Sequence, residues 1–175
     1  MSELTGKKAI LIILRRCEGK NNLMGVTRIQ KLAFLLTLED ELRYLNNELK
    51  YDAHYYGPYS ETITNGLEIL SDNNFIESNT IQFEKLNQNR ADERVIEDHM
   101  EIKEYIQTKD YKLTEAGRLI ADYYFKKLDD NEKKLINSIT DEYGQLELIE
   151  LLKKVYKIAP DDLLRNSTIK DDLGI

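Results

Sequence analysis

Tryptophan is absent from this chain, cysteine occurs once, and proline and histidine occur twice each among 175 residues. A lone thiol forbids an internal disulfide, so packing has to hold the fold. Cys17 falls on the apolar face of the first expected helix, where a buried core thiol is expected rather than a nucleophile. Two prolines and eight glycines leave little composition for a disordered linker, which favours one compact unit. Metal ligation lacks the usual residues: neither Asp52-x-His54 nor Asp98-His99-x-Glu101 has a recognised ligand spacing. Long hydrophobic runs are missing as well. Ala9 to Leu14 is the longest, far short of the roughly 18–20 residues of a membrane span. No small-residue cleavage site follows it, so a cytoplasmic location and no membrane partner are expected. Gly19-Lys20 has neither the further glycine nor the Ser/Thr of a phosphate loop, and no Gly-x-Ser-x-Gly elbow or deaminase-type His-x-Glu with paired cysteines occurs. The expectation is a protein that is not an enzyme and uses no cofactor or metal.

Positive charge is also short. Twenty-five Lys and Arg against 32 Asp and Glu leave a net charge of −7, which works against phosphate-driven binding of nucleic acid. The distribution is uneven: residues 1–50 hold nine basic and six acidic residues, 51–100 three and ten, and the remainder thirteen and sixteen. An anionic partner would meet the N-terminal helices first.

What the chain does have is helical periodicity. Ile10, Ile13, Leu14 and Cys17 define a first helix over about Lys7 to Glu18, with Lys8 and Arg15 on the opposite face. Thr27 and Gln30 stand at capping-box spacing ahead of Ile29, Leu32, Ala33 and Leu36, predicting a second helix that reaches about Leu45. Lys50 to Tyr56 reads as a short Tyr-rich strand broken by Gly57-Pro58. Ser60 then offers an N-cap for a third helix to about Asn73 that buries Ile63, Leu67 and Leu70. From 74 to 114 the pattern turns to strands, at Phe75-Ile76, Ile81 to Phe83, Ile102, Tyr105-Ile106 and Tyr111 to Leu113. Lys85 to Asp98 between them is polar and without period, a loop tip or an inserted turn of helix. Thr114 caps a helix to about Leu128 carrying Leu119, Ile120, Tyr123 and Tyr124, and Asp129 with Glu132 forms a second capping-box match. Gly144 is placed as a left-handed residue after the next helix. Leu146 to Ile158 is apolar on most sides, so it is expected either to pack on its own domain or to form a dimer, before Pro160 stops it and a loosely attached tail follows.

The order of the segments Arg28-Ile29-Gln30-Lys31, Tyr56-Gly57-Pro58-Tyr59-Ser60, Phe75-Ile76 and Tyr111-Lys112-Leu113-Thr114-Glu115-Ala116-Gly117 resembles the YwgA-like winged-helix proteins of bacteria and archaea over about residues 25–160. A more distant resemblance is to the Panacea-type antitoxin domain, which pairs a K-L-x-x-L helix with a Y-G-P turn. The resemblance implies an α+β, mostly α fold: a winged helix-turn-helix with a β wing and additional C-terminal helices. It divides the chain into a winged-helix domain over 1–128 with a wing insertion at about 85–98, a C-terminal helical extension over 129–160 that packs on the domain or dimerises, and a tail over 161–175.

On such a scaffold the third helix is the recognition helix, and a 100° step per residue places Glu61, Asn65, Glu68 and Asp72 outward. Thr62 and Thr64 then flank that face within reach of base edges, Arg28 and Lys31 hold phosphates from the preceding helix, and Tyr59 and Ser60 complete the candidate DNA-binding set. The plainer alternative for Arg28 and Lys31 is a solvated helix start, and for Tyr55, Tyr56 and Tyr59 it is core packing around the turn. Two functions follow. One is a transcription regulator that binds double-stranded DNA; the other is a protein-interaction module, an antitoxin or adaptor, whose acidic third helix and wing engage a basic protein surface. A homodimer is compatible with either.

Overall fold

A computed structural model describes residues 4–20, 22–84 and 105–174. The Lys85 to Asp98 insertion, the Asp98-His99-x-Glu101 cluster and the strand expected at Ile102 lie outside the described residues. In chain order the elements are α1 (Gly6–Cys17), α2 (Val26–Thr37), a 3-10 segment (Asp40–Leu45), α3 (Asn46–Leu49), β1 (Asp52–His54), β2 (Gly57–Tyr59), α4 (Glu61–Asp72), β3 (Ile76–Glu84), β4 (Tyr105–Leu113), α5 (Glu115–Lys127), α6 (Asp130–Tyr143), α7 (Leu148–Ile158), α8 (Asp161–Leu164) and α9 (Lys170–Leu173). The chain is α+β and mostly helical, with two antiparallel two-stranded sheets among the described residues.

α1 is the axis of the fold. Every residue from Ala9 to Leu14 is buried, because α2, α4, α5 and α6 all pack around this helix. The apolar run from Ala9 to Leu14 turns through every side of the helix, so this stretch has to be surrounded in this way. Its polar residues are handled individually: Arg15 grips Asp122 of α5 through two hydrogen bonds of 2.9 and 3.1 Å, and Arg118 of α5 donates to Glu18 at 2.7 Å. Cys17 is buried, and burial pushes its thiol up to about 11, so it is held neutral.

α2 ends at Thr37 and not near Leu45, the 3-10 segment and α3 completing the path. Leu42, Leu45 and Leu49 are all buried, so the apolar spacing continues across the break in helix type. Gly25 is the N-cap of α2 and supplies no side-chain cap, so the Thr27 and Gln30 pairing expected from spacing is not made. β1 and β2 form a hairpin whose tip is Tyr55-Tyr56, with His54 opposite Gly57. Gly57 has φ +82°, the left-handed region that a side chain disfavours.

β3 and β4 pair along nine residues, from Ile76 opposite Leu113 to Glu84 opposite Tyr105. At the base of this hairpin the Tyr-Lys-Leu-Thr-Glu-Ala-Gly segment has a clear structural reason. The Thr114 hydroxyl accepts from the Gly117 amide at 3.0 Å and donates to the Asn74 carbonyl at 2.7 Å, joining the α5 cap to the strand opposite. A Cβ on Gly117 would lie 1.9 Å from the Phe75 carbonyl oxygen, so only glycine fits there. Asp129 and Glu132 make the full capping box at the start of α6. Gly144 does not take the expected left-handed conformation: its φ is −66°.

The C-terminal elements belong to the same core as the rest. Ile136, Leu151, Val155, Leu164 and Leu173 are buried in one cluster with Leu32 and Ile63. α7 buries Leu151, Leu152, Val155 and Tyr156 on its own domain, while Ile149 and Ile158 remain exposed. The tail is docked rather than loose, since the Asn166 side chain donates to the Ala53 carbonyl at 3.1 Å and the Thr168 amide to the Tyr55 carbonyl at 3.1 Å.

Candidate functional site

The residues expected to hold phosphates face inward. Arg28 is 4% exposed and Lys31 2%. Arg28 donates from Nε to the Leu23 carbonyl at 3.1 Å and from Nη1 to the Leu146 carbonyl at 2.6 Å. Lys31 donates from Nζ to the Pro58 carbonyl at 2.7 Å. With no carboxylate in ion-pair contact among the described residues, burial pulls the Lys31 amine down to about 7.

Gln30, between them, donates from Nε2 to the Ser60 carbonyl at 2.8 Å and accepts from the Ser60 amide at 2.9 Å. A side-chain amide that returns both bonds mimics a neighbouring strand, and it satisfies backbone groups that are out of reach of water. Ser60 itself is fully buried and its hydroxyl donates to the Leu49 carbonyl, so it does not cap α4 through its side chain. Gln30 and Lys31 therefore lock α2 onto Pro58 and Ser60 of the β2–α4 turn, while Arg28 ties the start of α2 to the Leu23 and Leu146 carbonyls. This corrects the expectation that Arg28, Lys31 and Ser60 present themselves to DNA.

The remaining candidates divide. Tyr59 is half-buried, its ring stacked on His54 at 4.6 Å between centroids and its hydroxyl 2.8 Å from the Thr64 hydroxyl oxygen. Thr62 is half-buried and donates to the Glu48 carbonyl at 3.1 Å. Asn65 is exposed, on the same face of α4 as Glu61, Glu68 and Asp72. Tyr55 and Tyr56 are exposed at the hairpin tip and do not join the core.

No family model, curated protein or solved structure matches this chain. Glu61, Glu68 and Asp72 are exposed on α4 together with Asn65 and Ile69, and Glu48 of α3 and Glu77 of β3 are exposed as well. The carboxylates of α4 have no ion-pair partner among the described residues.

Two surface features were not read from the sequence. On α5, Leu119 is 68% exposed and Tyr123 53%, with Lys127 lying 5.5 Å from the Tyr123 ring centre. The fully buried positions of α5 are Gly117 and Ala121, small residues with little hydrophobic signal, while Ile120, Tyr124 and Phe125 pack partly buried against the core. The second is a cavity of about 620 Å³ between the start of α2, β4 and the start of α7. Its walls come from four separate stretches of chain between Asn22 and Leu152, and periodicity within one element cannot show such a convergence.

Proposed function

We propose that this chain is a non-enzymatic regulatory protein on a winged-helix scaffold of the YwgA-like kind, acting through a protein contact in which the exposed face of α4 meets a basic surface. The succession of α1, α2 and α4 followed by the long β3–β4 hairpin supports the scaffold. The observation that carries the function is the charge of α4: Glu61, Glu68 and Asp72 stand outward with Asn65, while the cations assigned to phosphate contacts are spent on backbone carbonyls. Phosphate neutralisation supplies most of the affinity of a DNA-binding protein. An acidic recognition face opposes it.

Titration of a fluorescently labelled lysine-rich helical peptide with the full chain, read by anisotropy, tests this reading. Saturable binding that weakens about fivefold or more in the Glu61→Gln, Glu68→Gln double variant supports it. Equal binding by both proteins, or none by either, overturns it.

A further inference from the structure

We propose that the cavity between α2, β4 and α7 is a binding site for a small carboxylate with an apolar body, such as an aromatic or medium-chain aliphatic acid. The inference stands on the cavity alone and is independent of what α4 contacts. A volume of about 620 Å³ is within the usual range of small-molecule sites, which combine apolar walls with a few polar groups. Leu23, Tyr56, Leu148 and Leu152 supply the apolar wall. Three of them, Leu23, Tyr56 and Leu148, are 40%, 48% and 38% exposed, as expected of side chains that border an open site.

The polar anchor is Arg28, which lines the cavity. Its guanidinium is nearly fully buried, is lowered in pKa chiefly by that burial, and is matched by two carbonyls and by no carboxylate in ion-pair contact among the described residues. The Glu147 carboxylate acts on Arg28 only through its field, without an ion-pair contact, and a carboxylate entering the cavity would add a direct charge-assisted acceptor for the guanidinium.

Glu147 also lines the cavity, and it is exposed. Its negative charge opposes an anion, so the two charges in the site should act on the ligand with opposite sign. Gln107 and Thr108 of β4 form part of the same lining. A ligand seated there would touch the hairpin and the C-terminal helix at once, which gives it a means of setting their relative position.

The test uses the full chain and two probes: anilinonaphthalene sulfonate, an apolar aromatic anion followed by its fluorescence, and decanoate as its competitor, with decanol as the uncharged control. Expected is saturable binding of one equivalent of the dye, displaced by decanoate and not by decanol. Arg28→Gln should weaken it at least about tenfold. Glu147→Gln should tighten it about two- to fivefold. Leu148→Trp, a change at a partly exposed position, should block it by filling the cavity. Because Arg28 also holds two carbonyls, the Glu147 and Leu148 variants carry the test should the Arg28 variant not fold. Absence of saturable binding, equal displacement by decanol, or dye affinity unchanged in both the Glu147→Gln and Leu148→Trp variants overturns the proposal.

Discussion

Replacing Lys31 by Met removes an amine that is 2% exposed and bonded to the Pro58 carbonyl at 2.7 Å. Burial lowers the amine to about 7 from its ordinary 10.5. Between those values the unfolded chain holds a proton that the folded chain does not. Stability contributed by Lys31 is therefore greatest above the unfolded value, falls as pH is lowered, and levels off below about 7, with a slope of about 1.4 kcal/mol per pH unit in between. From about pH 7.5 to 9.5 the wild type should gain about 2–3 kcal/mol from this group that Lys31→Met cannot gain. The variant also leaves the Pro58 carbonyl without its donor, a penalty of about 1–3 kcal/mol that does not vary with pH. Urea denaturation of both proteins across that range isolates the slope, because other titrating groups contribute to both and cancel in the difference. Parallel stability curves would refute the reasoning, since they would mean that the amine keeps its charge and its water in the folded protein.

Other substitutions test the packing and the junctions. Leu67→Ala, at a residue 1% exposed, should cost about 2–5 kcal/mol in chemical denaturation, and a loss below about half a kcal/mol would show that it is not core. Gly117→Ala should destabilise by about 1–3 kcal/mol or more, because the added Cβ meets the Phe75 carbonyl rather than a side chain able to move aside; a neutral effect on the thermal midpoint would contradict the close approach. Asp129→Ala should cost about 0.5–2 kcal/mol through loss of the α6 capping box, read by the urea midpoint, and an unchanged midpoint would count against the cap.

Local chemistry was legible in the sequence where its partners are close in the chain. The Asp129 and Glu132 box, the Thr114 cap and the inward Ile63, Leu67 and Leu70 of α4 all depend on contacts within one or two turns. The end of α2 was harder to see because a 3-10 segment preserves the three-residue spacing of Leu42 and Leu45. Gly144 signals a left-handed turn by type, yet it is glycine for space: a Cβ there would lie 2.3 Å from the Thr140 carbonyl oxygen and 2.9 Å from the Cys17 sulfur. Arg28 and Lys31 read as surface residues because charge at a helix start normally is, and Gln30 read as half of a capping box with Thr27. Their acceptors are carbonyls 5 to 118 residues away, and a carbonyl is present at every residue, so no residue type announces it. For the same reason the cavity beside Arg28 left no trace in any one segment.

The central claim is that Arg28 and Lys31 are spent on backbone carbonyls inside the fold and that α4 offers acid to its partner. Titration of a labelled duplex DNA of mixed sequence with the full chain, followed by anisotropy between about 50 and 200 mM salt, tests it most directly. The account predicts no saturable binding even at the lowest salt. Saturable binding whose affinity falls steeply across that range would contradict it.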